Sequence, residues 1–169
     1  MEKPAQIHGI YNRAVLTTKV LLNISEIGSN IKQILEQHIS HRVKNKCQAE
    51  GYIRYNTIEI LEYSQGLVKG IHQEFQVVYE CLVCHPSEGM IIDQIECKNI
   101  SIAGVRGVYY DNETRTTPLE IFLAKDFHYD NKAYDKIKEG SIFSVQVIGI
   151  RFELNDDHIT VMGLLHISA

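Results

Sequence analysis

The apolar residues of this chain follow two different periods, and the change of period marks its elements. Ile31, Ile34, Leu35, His38, Ile39 and Val43 recur at three- and four-residue spacing, while Lys32, Gln33, Glu36, Gln37, Ser40 and Lys44 take the opposite side. That pattern predicts one amphipathic helix. Asn30 followed by Gln33 reads as a capping box, and His41, Arg42, Lys44 and Lys46 gather where the helix dipole favours cations. His38 falls on the apolar side, where a hydrogen-bonded core histidine is expected. Before the helix, residues 11–22 set Ala14, Val15, Leu16, Val20, Leu21 and Leu22 around Thr17, Thr18 and Lys19, a β-branched mixture that predicts a strand. After it, residues 52–63 and 67–71 return to β signals around a turn at Ser64-Gln65-Gly66.

The run from Gln76 to Cys84 reads as a buried strand, too short to span a membrane. His85-Pro86-Ser87-Glu88-Gly89 ends it with a residue that cannot donate to a ladder and a glycine that permits a re-aimed backbone. This is the expected domain joint, dividing the chain into residues 1–86 and 87–169. Beyond it no helical period persists. Five short strands are expected at 90–97, 100–110, 119–124, 142–152 and 159–167, which suits a small closed or nearly closed barrel. In the fourth, the inward phase of Phe143, Val145 and Val147 passes to Ile148, Ile150 and Phe152 across Gly149, predicting a bulge or bend. The fold class is therefore α+β: one helix on an antiparallel sheet, then a five-stranded barrel.

Composition narrows the chemistry. With 169 residues, 44% hydrophobic and 22% charged, the chain has ordinary globular content. Its net charge of −4 argues against coating duplex nucleic acid by charge alone. Met1–Gln6 lacks an apolar signal core, and an intracellular protein with reduced cysteines is expected. Cys81-Leu82-Val83-Cys84-His85 matches a haem-attachment or metal-type pattern. On a strand, however, residues three apart face opposite sides, and no second pair accompanies Cys47 and Cys97. Four buried thiols acting as small hydrophobes are expected, with no metal and no cofactor. Asp156-Asp157-His158 reads as a polar turn, and His8, His41, His72, His128 and His166 carry no motif. No phosphate loop, nucleophile elbow or paired-acid motif is present, so no catalytic residue is assigned.

Three segments together resemble a known family: Gly28-Ser29-Asn30-Ile31-Lys32-Gln33-Ile34-Leu35, then Val78 to Pro86 with Gly89 and Asp93, then Ile148-Gly149-Ile150-Arg151 running to Met162-Gly163-Leu164. In order and spacing they are similar to the stalk subunit of multisubunit DNA-directed RNA polymerase, the seventh subunit of the eukaryotic enzyme and its archaeal counterpart. The resemblance spans residues 11–165. It implies a non-catalytic protein with a tip domain that docks on the polymerase core, an OB-type barrel facing the emerging single-stranded RNA transcript, and a second stalk subunit held by both halves. It also implies action during transcription initiation, away from membranes. The location would be a nucleus for a cellular member, and host cytoplasm or virion for one encoded by a large DNA virus; the Ile- and Asn-rich composition suits either. The sequence departs from the family at Ile102-Ala103-Gly104-Val105-Arg106-Gly107 with a long polar insertion through Pro118, and at residues 127–134, where no roles are assigned. Docking is expected around Ser64 to Gly70, where Gly66 and Gly70 permit close approach. RNA contact is expected from Lys98, Arg106, Tyr109, Tyr110 and Lys125, on or beside the first three barrel strands. The alternative is a free-standing OB-fold RNA-binding factor of translation or RNA metabolism.

Overall fold

The computed structural model describes residues 9–167; the N-terminal stretch with Met1–Gln6 and His8 lies outside the described residues. The elements are β1 (Asn12–Asn23), α1 (Ile31–Val43), β2 (Cys47–Gln48), β3 (Gly51–Ile53), β4 (Glu59–Tyr63), β5 (Leu67–Lys69), β6 (His72–Cys84), β7 (Ile91–Ile100), β8 (Gly104–Asp111), β9 (Thr116–Ala124), β10 (Ile142–Arg151) and β11 (Ile159–His166). They form two compact units. One takes the described residues up to Lys44 together with Ile53–Val83; the other takes Asn45–Tyr52 and the chain from Cys84 onward.

In the first unit β1 and β6 pair antiparallel without a register break from Asn12↔Val83 to Asn23↔His72. β4 and β5 pair with β6 as well. Because side chains alternate across a strand, Val20 and Leu22 share one face with Phe75, Val77, Tyr79 and Cys81. Leu35, Ile39 and Val43 of α1 close over that face and complete the core. The burial of β6, expected as a buried strand, alternates along its length, and the helix covers one of its faces.

The helix has the expected bounds but different ends. Asn30 makes no side-chain cap bond. One turn earlier the Glu26 carboxylate accepts the Asn23 N–H at 3.0 Å. His38 is not a core histidine. The buried stripe is Leu35, Ile39 and Val43, and the His38 ring at its margin reaches outward to Glu26, Nε2 to Oε1 3.9 Å. Arg42 turns back over β1, donating to Thr18 Oγ1 at 3.0 Å and to the Lys19 carbonyl at 3.1 Å.

The second unit is a closed five-stranded barrel in the order β10-β11-β9-β8-β7, with β7 returning to β10. All neighbours are antiparallel except β9 and β11, which run parallel over Leu119–Phe122 and Ile159–Met162. Its interior holds Ile92, Ile95, Leu119, Ile121, Leu123, Val145, Val147, Ile159 and Val161, each essentially sealed from solvent. The bend expected at Gly149 is a register shift between Val147 and Gly149. Gly89, at φ +84°, occupies a left-handed position after Pro86, and its N–H donates to the Val147 carbonyl at 2.8 Å. The β2–β3 hairpin joins this unit through Cys47, whose N–H donates to the Asp156 carbonyl at 2.7 Å and whose carbonyl accepts from Asn155 at 2.9 Å.

The polar connection between the second and third barrel strands is a tight hairpin, with Asp111 paired to Thr116. Asp111 is buried, and its Oδ1 accepts the Glu113 and Thr114 N–H groups at 3.1 and 3.4 Å, a local bond network that turns the chain into β9. Among the described residues, no helix is long and apolar enough to cross a membrane.

All four cysteines are buried and free. Cys81 packs in the first unit's core, whereas Cys84 and Cys47 lie in the second, close enough for a Cys47 thiolate to oppose ionisation of Cys84. Burial, reinforced by Asp156 and Asp157, pushes the Cys47 thiol up to about 12; burial also raises Cys84 and Cys97. Folding therefore favours the protonated thiols. That contribution is fully present below the ordinary thiol pKa of about 9 and is lost as pH climbs toward the folded value. Ellman's reagent at pH 8 should label none of the four within minutes in the folded protein and all four in urea, with stability declining above about pH 9. Rapid native labelling of any of them contradicts this placement.

Candidate nucleic-acid interface on the barrel

The geometry of β8 decides which of the expected RNA-contacting residues can act together. Val105, Gly107 and Tyr109 pair directly opposite Leu123, Ile121 and Leu119. Directly opposed residues of an antiparallel pair share a face, and those three β9 partners line the barrel interior. Tyr109 therefore turns inward and is half-buried, while Arg106 and Val108 lie on the opposite face beside Phe122 and Glu120, Arg106 exposed and Val108 buried. Tyr110, at the register shift before Asp111, is exposed. Adjacent tyrosines in a strand cannot share a surface, so Tyr109 and Tyr110 are divided between core and solvent.

The parallel partner extends the outer face. Thr160 and Met162 of β11 pair with Glu120 and Phe122. Phe122 thus lies between Arg106 and Met162 on the outside of the central strands, half-exposed. Sequence reading missed it, because its outward phase shows only once the register of β8 against β9 is known.

Two of the three expected cations are held by carboxylates. Arg106 is bidentate on Glu120, Nε to Oε1 2.8 Å and Nη2 to Oε2 3.0 Å. These hydrogen bonds raise the guanidinium above its usual value and hold the Glu120 carboxyl below its own. His158 Nε2 lies 3.6 Å from the same carboxylate, and His158 Nδ1 lies 2.6 Å from Asp157 Oδ1. Lys98, at the register shift of β7, is 3.0 Å from Glu96. Lys125 follows β9 in a short 3-10 turn, is exposed, and makes no ion pair among the described residues. Glu120 thus neutralises Arg106 and holds two of its five N–H donors, whereas Lys125 carries no such counter-charge.

Gly66 and Gly70 belong to the other unit and differ from each other. A side chain at Gly66 would run into Gln73, so its space is filled by the chain itself. Gly70, at φ +64° with open space around it, makes the turn between β5 and β6. Leu67, Val68 and Ile71 around that turn are largely exposed. Among the described residues, no group of three or more His, Cys, Asp or Glu side chains is placed to hold a metal ion.

No protein-family model matches the chain. Over 165 residues it is 26% identical to a protein of Acanthamoeba polyphaga mimivirus provisionally named as a DNA-directed RNA polymerase subunit. The similarity covers 92% of this chain and 82% of that protein. It therefore reaches across both compact units.

The two tyrosines give a direct check of the register. Tyr109→Ala removes an inward ring and should cost about 2 kcal/mol in urea unfolding, while Tyr110→Ala should stay within about 0.5 kcal/mol of the parent. Equal costs for the two would mean that β8 is out of phase.

Proposed function

We propose that this protein is a non-catalytic stalk subunit of a multisubunit DNA-directed RNA polymerase. The observation that carries this reading is the similarity to the viral polymerase subunit along both units at once. The barrel supports it further. Its five strands, closed through a parallel β9–β11 pair, follow the OB arrangement, whose central strands bind oligonucleotides. In this reading the second unit contacts the emerging transcript during initiation and early elongation. Arg106 and Tyr110 lie on the outer face with Phe122, Lys98 and Lys125 flank it, and Tyr109 supports the face from within. Bases stack on the aromatics, and the cations hold the backbone in a salt-dependent manner.

The first unit is the tip domain in this reading. Its docking element is the β5–β6 turn, where Gly70 sets the reversal and Leu67, Val68 and Ile71 offer apolar surface to the polymerase core. Exposed apolar clusters of this kind mark protein contacts. A second small subunit completes the stalk.

Affinity purification of the tagged chain from the cells in which it is expressed tests the reading. The large polymerase subunits and one further small subunit should copurify in equal amounts. Leu67→Glu combined with Ile71→Glu, both at exposed positions, should lower polymerase recovery at least about tenfold while leaving the melting temperature of the isolated protein within a few degrees. Recovery of the wild type without any polymerase subunit overturns the proposal and favours a free OB-fold factor.

A further inference from the structure

The connection from β9 to β10 carries two aromatic rings that the fold holds out in solvent. Phe127 is 60% exposed and Tyr129 85%, yet His128 between them is only 3% exposed. His128 is pinned on three sides. Its Nδ1 lies 2.7 Å from the Ala124 carbonyl, its Nε2 accepts the Leu165 N–H at 2.9 Å, and its ring stacks on Tyr134 with centroids 4.7 Å apart. The first contact requires a proton on Nδ1 and the second a lone pair on Nε2, so one neutral tautomer satisfies both. Tyr134 is fixed in turn, its hydroxyl donating to the Leu123 carbonyl at 3.4 Å. With the central side chain locked inward, its two neighbours are directed outward.

The same end of the barrel presents Ile102, 93% exposed, in the turn from β7 to β8, and the Ala103 carbonyl of that turn accepts the Lys125 N–H at 3.0 Å. Phe127 and Tyr129 on the anchored segment and Ile102 in the turn bonded to it are thus all exposed, and Lys125 makes no ion pair among the described residues. Their exposure is unfavourable in the free protein, and the anchoring removes the freedom with which they could fold back onto it. Asp126 and Asp130 balance Lys125 and Lys132 here, so the segment is close to neutral. A ligand must therefore be recognised by ring faces more than by charge. Unpaired bases have two such faces, and base-on-aromatic stacking tolerates sequence and needs little net charge.

We propose that Phe127 and Tyr129 form a stacking platform for single-stranded nucleic acid at this end of the barrel, with Lys125 placed for a backbone phosphate. The platform lies beyond the Arg106–Tyr110 face and shares Lys125 with it. The inference rests on the reading of the barrel as a nucleic-acid-binding module and assigns it a second contact.

The test is a titration of the full chain with labelled oligo(U) and oligo(dT) of about 12 nucleotides at low salt. Three forms are compared: wild type, Phe127→Ala with Tyr129→Ala, and Arg106→Ala with Tyr110→Ala. Both altered sites are exposed, so melting temperatures should remain close to wild type and report the fold. The platform variant should bind at least about tenfold more weakly than wild type. The Arg106 and Tyr110 variant should retain binding with a weaker salt dependence than wild type, because stacking and the single Lys125 contact carry what remains. If the platform variant binds like wild type while the Arg106 and Tyr110 variant loses affinity, the platform is overturned and the barrel reading stands. If wild type binds neither oligonucleotide, both fall. If the platform variant keeps its nucleic-acid affinity but loses copurification with polymerase, the rings belong to a protein contact and the proposal is overturned. Equal loss on oligo(U) and oligo(dT) assigns the platform to base faces; loss on oligo(U) alone assigns it to RNA.

Discussion

Closure of the barrel depends on one parallel pairing, Leu119–Phe122 against Ile159–Met162. Parallel strands cannot be joined by a tight turn, so the chain between them must leave the barrel, cross its end and return through β10. Both surface features of the second unit follow. The pairing sets Phe122 beside Met162 and Glu120 beside Thr160, which builds the outer face around Arg106. The obligatory detour carries Lys125, Phe127 and Tyr129 over the barrel end, where His128 ties it down. The closure is also close-packed. Gly107 has no room for a Cβ between Ile95, Phe143 and the Glu96 carbonyl, so the strands approach there only because the side chain is missing.

The first unit obeys a different constraint. It has one helix for one sheet, so only one face of that sheet is covered within the unit. Charges on the other face are paired across strands, Arg13 with Glu80 at 3.3 Å and Lys69 with Glu74 at 2.9 Å. Such exposed pairs contribute little stability, and their effect is chiefly to keep this face soluble. Apolar side chains are exposed there too, Val15 and Leu21 among them, but the most exposed of the unit, Leu67, Val68 and Ile71, lie at the β5–β6 turn. A net charge of −4 is compatible with the proposed role, in which the main partner is protein and nucleic acid is touched only locally.

What could be read from the sequence is what depends on local period. The helix was legible because Leu35, Ile39 and Val43 repeat at four-residue spacing, and the barrel strands because turn residues interrupt short β-branched runs. Features set by side-chain competition or by register were not. Asn30 has the right residue type for a cap, but Glu26 on the preceding turn makes the capping-type bond, to Asn23. His38 fits the apolar period within one position, yet a polar ring at the margin gains more by facing Glu26 and water. Tyr109 and Tyr110 look equivalent as neighbours, and only pairing with β9 separates them. Residues 45–52 looked like an extension of the first domain, but Cys47 hydrogen-bonds to Asn155 and Asp156 of the barrel unit. The anchored histidine was invisible for the same reason, since its partner Leu165 lies 37 residues away.

The central claim is that this chain lies beside RNA within a working polymerase. Photo-crosslinking tests it most directly. A photoreactive phenylalanine analogue in place of the exposed Tyr110 is incorporated, the associated polymerase is isolated, and transcription is started with labelled nucleotides. The account predicts that label transfers to this chain only after the transcript is long enough to leave the enzyme, and that the same analogue at Leu35, in the core of the first unit, receives none. An actively transcribing polymerase that contains the chain but never transfers label to position 110 would contradict it.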